Sequence, residues 1–298
     1  MPTKLKWCLV ALTALVASCG GDTPTTPTPP IGQQTPPPAA PVTILAAGDI
    51  GQCGQPGPAL TARLLDQLPG IVLALGDLAY QNGTYQQFID CYAPTWGRHH
   101  DRTRPAPGNH DYETAGGAGY YAYFEDLAGP AGDGFYSFVA GGWRVISLNS
   151  NVAMGPGSPQ YAWLQHELQA PARCTLAYWH HPFISSGPNG DNPNTKPLWD
   201  LLYAANAEVV LVGHDHIYER FVPQDPDGRL DRDRGLRQFI VGTGGASLTG
   251  VVSRRPNSAA THVGHGVLKL ILGDNRYEWQ FMPVDGTAFS DVGFDVCH

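Results

Sequence analysis

Short apolar runs alternate along this chain with breaks rich in Gly, Pro and Asp. Val42–Ala47 is one such run and ends in Gly48-Asp49; Ile71–Leu75 is a second and ends in Gly76-Asp77. Runs that are apolar at successive positions and closed by turn residues predict strands buried on both faces. Between these two, Pro58–Leu68 carries Leu60, Leu64, Leu65 and Leu68 on one side at helical spacing. Strand, helix and strand in this order predict a βαβ unit. Thr84–Tyr92, Pro159–Ala170 and Leu198–Ala205 predict further helices. Phe135–Val139 and Trp143–Leu148 predict a hairpin around Ala140-Gly141-Gly142. Leu176–Trp179 and Val209–Val212 predict buried strands, and the last third is strand-rich, with Gln238–Val241, Gly266–Leu272 and Arg276–Met282. The pattern holds neither an internal repeat nor a second linker, so it gives one α/β domain over residues 42–298.

Ahead of Val42 the pattern changes. Lys4 and Lys6 precede an apolar stretch, Trp7–Ala17, which is shorter than the roughly 20 residues of a spanning helix. It runs into Val16-Ala17-Ser18-Cys19 and then Gly20-Gly21. This resembles a bacterial lipobox, which implies a signal peptide over residues 1–18 and a lipid on Cys19. Gly20 after the cysteine resembles lipoproteins sent to an outer membrane. An ordinary secretory signal with an incidental cysteine is the alternative. Residues 22–41 then hold eight prolines and five threonines. Such a stretch cannot build a core and predicts a semi-rigid tether, residues 19–41. The expected location is therefore outside the cytoplasm, on the periplasmic or cell-surface face of a bacterial envelope, with Cys19 the only membrane contact.

Composition sharpens this picture in three ways. Charged residues are only 15% of the 298, against 36 glycines and 27 prolines, which favours a loop-rich α/β protein over a helical bundle. The net charge of -8 argues against nucleic acid as a structural partner. An acidic protein that handles phosphate needs local positive charge, and bound cations can supply it. Four cysteines remain in the domain, Cys53, Cys91, Cys174 and Cys297. Export permits disulfides, and four cysteines allow three pairings. Cys53–Cys91 and Cys174–Cys297 are expected, with buried free thiols as the alternative.

Five short segments carry the candidate chemistry: Gly48-Asp49-Ile50-Gly51, Gly76-Asp77-Leu78-Ala79-Tyr80, Gly108-Asn109-His110-Asp111, Trp179-His180-His181-Pro182 and Gly213-His214-Asp215-His216. Each places Asp, Asn or His just past a predicted strand or in a tight turn. Ligands of open α/β sheets bind off the carboxyl ends of strands, where these segments could converge. Carboxylate oxygen and imidazole nitrogen suit iron, zinc or manganese, and one carboxylate can bridge two ions. In this order the segments resemble the signature of calcineurin-like metallophosphoesterases in its purple acid phosphatase version: GDxG, GDxxY, GNH(D/E), His before xPro, and GHxH. Many calcineurin-like enzymes place a ligand His where this chain has Gly51; the Tyr ligand of the purple acid phosphatase pattern falls on Tyr80. The resemblance implies an α/β/β/α sandwich of two mixed sheets. It also implies one metal held by Asp49, Asp77, Tyr80 and His216, and a second held by Asp77, Asn109, His180 and His214. A phenolate ligand implies Fe3+ at the first site, with Zn2+, Fe2+ or Mn2+ at the second.

The implied activity is hydrolysis of phosphate monoesters by a hydroxide activated on the two metals. His110 is expected to face the substrate and stabilise the phosphoryl group or protonate the leaving group, and His181 is a second candidate for phosphate contact. The alternatives are a phosphodiesterase or nucleotide hydrolase on the same site, and a surface-tethered protein that binds phosphate ligands without turnover. Among other residues, Glu219 and Arg220 are expected to pair behind the site. Asp225-Pro226-Asp227-Gly228 reads as a turn, and His262 and His265 read as loop residues. Arg173, Arg254 and Arg255 read as solvated surface, and the loops 82–100 and 185–197 as walls of the site.

Overall fold

The computed structural model describes residues 40–298 apart from Ala131 and Asp285. The expected signal peptide, the lipobox and all but the last two residues of the tether lie outside the described residues. Thirteen strands form two sheets. In the first, Val42–Ala47 (β1), Ile71–Leu75 (β2) and Thr103–Ala106 (β3) run parallel. Gly266–Leu272 (β11), Arg276–Pro283 (β12) and Val292–Val296 (β13) extend it antiparallel beyond β1, in the order β13-β12-β11-β1-β2-β3.

The second sheet has Tyr136–Ala140 (β4), Trp143–Ser147 (β5), Thr175–Tyr178 (β6), Val209–Val212 (β7), Tyr218–Phe221 (β8), Arg237–Val241 (β9) and Ser258–His262 (β10). Its order is β10-β8-β9-β7-β6-β5-β4, with β5, β6, β7 and β9 parallel. The central strands of both sheets are buried along most of their length, which is why they read as unbroken apolar runs rather than alternating ones.

The two sheets face each other across one core. Ile44, Ala46 and Leu73 of the first meet Val145, Leu176, Val209 and Phe239 of the second in a single apolar cluster. Helix Gly57–Gln67 adds Ala62 and Leu65 to it. On the far side of the second sheet, helices Pro159–Glu167 and Lys196–Ala204 bury Leu164, Leu198, Trp199 and Leu202 against Ile146, Ala177 and Val210. The layers are thus helix, sheet, sheet, helix.

The cysteines pair as expected, Cys53 with Cys91 and Cys174 with Cys297. The expected helix over 84–92 is only partly α-helical. Thr84 caps it by accepting from the Gln87 amide, and after Gln87 the chain widens into a π-helical turn, Phe88–Tyr92. That turn buries Phe88, Cys91 and Tyr92 together. Four strands escape the hydrophobic pattern: β3, β8, β10 and β13. His262 therefore ends a strand rather than sitting in a loop.

Candidate metal centre

All five segments leave the carboxyl ends of parallel strands: β1 and β2 lead to Asp49 and Asp77, β3 to Asn109, β6 to His180, and β7 to His214 and His216. Sharp turns are needed there, and three of the residues hold left-handed backbone, Asp49 at φ 59°, Asp77 at φ 54° and His214 at φ 72°. Asp and His tolerate this region better than most side chains, though at a cost of about 1–3 kcal/mol each. Cross-links between the loops offset it. The Asp49 amide donates to the Gly76 carbonyl and the Ile50 amide to the Asp77 carbonyl, both at 2.9 Å. Gly108 must lack a side chain, because a Cβ there would stand 2.1 Å from Asp77 Oδ1.

The donor atoms converge. Asp49 and Asp77 are buried. The Tyr80 hydroxyl lies 2.9 Å from Asp49 Oδ1, 3.2 Å from Asp77 Oδ2 and 3.1 Å from His216 Nε2. One donor atom each from Asp77, His180 and His214 lies within 4.8 Å of the others. The first set is the first group that the resemblance implies, and the second set is the second group without Asn109; they share Asp77. A Cβ at Gly51 would stand 2.3 Å from the Leu78 carbonyl oxygen, so a histidine has no room there and Tyr80 supplies the oxygen beside Asp49.

Backbone carbonyls orient the imidazoles. His180 Nδ1 is 2.9 Å from Leu75 O, His216 Nδ1 is 2.6 Å from Ser247 O, and His110 Nδ1 is 2.6 Å from Gln81 O. A carbonyl only accepts, so each Nδ1 carries the proton and each Nε2 is turned toward the cluster. Buried Asn109 Oδ1 has no hydrogen-bond partner, and buried His180 Nε2 faces only Asp77 Oδ2, at 3.2 Å. Orphaned buried acceptors are costly, and both belong to the expected ligand set. The residues present therefore fit bound cations.

Charge points the same way. With protein charges alone, burial pushes the Tyr80 phenol well above its ordinary pKa, and Asp49 and Asp77 push it further. Burial opposes charge on His180 and His216, yet Asp77 and Asp49 outweigh it and raise each to about 9. Burial, then the neighbouring His180, lowers His214 to about 4. Burial, then His180 and His214, likewise holds His181 well below the usual histidine range. A cluster this rich in carboxylate and imidazole is most easily neutralised by metal cations, whose charge would reverse these trends.

His110 and His181 flank the cluster. His110 donates its amide to Asp77 Oδ1 at 2.8 Å, packs its ring 4.5 Å from Tyr80, and keeps about a third of its side chain exposed. His181 lies with its ring 4.5 Å from that of His214, and its Nδ1 is 2.8 Å from Ser150 Oγ.

Three acidic residues outside the expected ligand set, Asp111, Asp215 and Glu219, hold the loops. Buried Asp111 accepts from the amides of Gly108 at 2.8 Å, Leu78 at 3.0 Å and Ala79 at 3.3 Å, clamping the Asn109 loop to the Asp77 loop. Burial, then Asp77, raises its carboxyl to about 7. Asp215 accepts from the Asn189 amide at 2.9 Å and from the Ser185 hydroxyl. The expected Glu219–Arg220 pair does not form: Glu219 accepts from the amide and hydroxyl of Ser186, and Arg220 pairs with Asp291. Arg173 and Arg255 also have partners, Asp274 and Asp191.

Comparisons with known proteins agree with this geometry. The family model for calcineurin-like phosphoesterases matches residues 42–218. Purple acid phosphatase 21 of Arabidopsis thaliana is 29% identical over 286 residues, covering 83% of this chain and 61% of that protein. Probable purple acid phosphatase 20 of the same plant is 28% identical over 299 residues, covering 88% and 66%. This chain spans between 41 and 66% of the length of the curated relatives it matches. Among solved structures, the fold matches purple acid phosphatase PPD1 from yellow lupin (Lupinus luteus) seeds, with a TM-score of 0.71 at 19% identity over 87% of this chain and 54% of that one. It also matches GAP50, the anchor in the inner membrane complex of Plasmodium, with a TM-score of 0.67 at 15% identity over 87% and 90%. The family model covers more than half of the residues and all five segments up to His216, so this chain belongs to the calcineurin-like phosphoesterase family.

Proposed function

We propose that this protein is a metal-dependent phosphoesterase that hydrolyses phosphate monoesters outside the cytoplasm. The observation that carries the reading is the convergence of donor atoms from Asp49, Asp77, Tyr80, His180, His214 and His216, together with a buried Asn109 Oδ1 that has no protein partner. Asp49, Asp77, Tyr80 and His216 would hold one metal, and Asp77, Asn109, His180 and His214 the second. Fe3+ suits the phenolate of Tyr80, and Zn2+, Fe2+ or Mn2+ suits the second group. Two cations so held would lower the pKa of a bound water and neutralise charge on the phosphoryl oxygens.

The chain's own residues position and protonate. Backbone carbonyls fix the imidazoles, so ligand geometry is set before substrate arrives. In the overall reaction a water oxygen adds to phosphorus, the P–O bond to the alcohol breaks, and the alkoxide takes up a proton. His110 is the proposed donor: Gln81 O holds its Nδ1, which leaves Nε2 as the ring nitrogen to deliver the proton. His181, held by Ser150, is a proposed phosphate contact.

Two disulfides suit an oxidising compartment. Among the described residues no helix is long and apolar enough to cross a membrane. Both accord with export and attachment through a lipid on Cys19, ahead of the tether. The test is metal content with a visible spectrum, on exported protein, beside assays on a monoester and a bis-ester. About two metals per chain, a tyrosinate-to-ferric band and faster monoester turnover are expected. Stoichiometric phosphate binding without turnover would replace the enzyme with a binding protein.

A further inference from the structure

A cleft of about 540 Å³ has in its lining Ser150, the hydrogen-bond partner of His181. One wall is the loop 150–155, which follows β5; the other is Pro193, Asn194 and Pro197 at the start of helix Lys196–Ala204. The cleft adjoins the candidate site through two bonds. Ser150 Oγ is 2.8 Å from His181 Nδ1, and Asn151 Nδ2 donates at 3.0 Å to the carbonyl of Pro107, just ahead of the Asn109 loop. Its size falls within the roughly 300–1,000 Å³ of small-molecule sites.

The chemistry of the walls is narrow. Ser150, Asn151 and Asn194 offer a hydroxyl and two amides; Val152, Ala153, Met154 and the two prolines offer apolar surface. Among the described residues, none that lines the cleft is charged. Lys196, which lies between Asn194 and Pro197 in the chain, is bonded to Asp200 at 2.6 Å. A second phosphate or carboxylate placed here would lose water without gaining a cation, inside a protein of net charge -8. An uncharged alcohol with an apolar face and a few hydroxyls meets both kinds of wall.

We propose that this cleft receives the alcohol portion of the substrate, and that the preferred substrates are monoesters of uncharged, partly apolar alcohols rather than polyphosphates or polyphosphorylated compounds. This rests on the phosphoesterase reading and names the substrate class of the same site. Ala153 and Asn194 are exposed and stand on opposite walls, so a tryptophan at either can narrow the cleft without disturbing the core.

The experiment measures calorimetric binding of benzylphosphonate and methylphosphonate to the metal-loaded protein, beside hydrolysis of phenyl phosphate and pyrophosphate. Benzylphosphonate is expected to bind at least about tenfold more tightly than methylphosphonate, and phenyl phosphate to be the better substrate by kcat/KM. In Ala153→Trp and Asn194→Trp the ratio of the two phosphonate affinities is expected to collapse toward one. Equal phosphonate affinities in the parent protein, or an unchanged ratio in both variants, would overturn the assignment of the cleft while phenyl phosphate hydrolysis kept the phosphoesterase reading intact. Failure to bind either phosphonate or to hydrolyse any ester would instead remove the phosphoesterase reading, and the cleft assignment with it.

Discussion

Two places in this molecule bury carboxylates among tyrosines, and they solve the same electrostatic problem differently. Near the end of the chain, Asp291 accepts from Tyr218 at 2.6 Å and from two nitrogens of Arg220 at 2.8 and 2.9 Å. Asp295 accepts from Arg237 at 2.7 Å, and both guanidiniums lie against Trp279. Each carboxylate there meets an arginine, and burial on Asp291 is outweighed by Arg220, which holds its pKa low. At the opposite extreme, among the described residues Asp49 and Asp77 form ion pairs with imidazoles alone. The first region is complete as protein. The second is arranged for a charge that arrives from outside, and that difference marks it as the functional one.

The widest separation between the two regions comes from truncating one carboxylate in each. Asp77→Ala should lower hydrolysis by at least about 10³-fold and reduce metal content, while the metal-free fold survives. If Asp77→Ala instead unfolded the metal-free protein, the cluster would be structural like its counterpart. His110→Ala should keep both metals and lose about 10²–10⁴-fold in turnover; full turnover in that variant removes it from the proton pathway. Asp291→Ala leaves half-buried Arg220 without its partner, and should cost about 1–3 kcal/mol in urea unfolding with metal content unchanged per folded molecule. An unshifted urea midpoint would deny the arginine-matched region its structural role.

Metal should stabilise through the cluster and nowhere else. At free metal a thousandfold above its Kd the gain is about 4 kcal/mol, seen as a higher Tm that a chelator reverses and that Asp77→Ala lacks. The last effect concerns another buried carboxylate, Glu208, which accepts from the amide of Thr175. Burial raises its pKa to about 7 from an ordinary 4.5. A carboxyl raised on folding favours the folded state most when protonated, so this contribution is whole below pH 4.5 and lost as pH rises through 7. Glu208→Gln should therefore gain about 2–3 kcal/mol on the parent between pH 4.5 and 8. Parallel urea midpoints at both pH values would show that Glu208 titrates normally.

The candidate metal centre was legible in the sequence because its residues travel in short blocks whose turns demand glycine, so chemistry and backbone signal coincide. The arginine-matched region was not, because its partners lie far apart: Arg220 and Asp291 are 71 positions apart. Adjacency misled at Glu219 and Arg220. Neighbours on a strand point to opposite faces, so one reaches Ser186 and the other Asp291. β3 was hidden by Arg104 and Pro105; it is an edge strand, where proline is tolerated. β13 also lies at an edge, and its Val-Gly-Phe-Asp-Val alternates too briefly to stand out. The role of Asp111 was invisible because all its partners are backbone amides.

The seven clustered side chains divide between the sheets: Asp49, Asp77, Tyr80 and Asn109 follow strands of the first, and His180, His214 and His216 follow strands of the second. Cations bound there would join the two plates at this rim, in addition to the apolar core, the Cys174–Cys297 disulfide and the Arg237–Asp295 ion pair. Apolar contacts slide under shear far more easily than coordination bonds, whose directions are fixed. Mechanically, the centre is a rivet at one rim of the sandwich. Pulled so that the sheets shear, the metal-loaded protein should resist at that rim, and the stripped protein should yield there first.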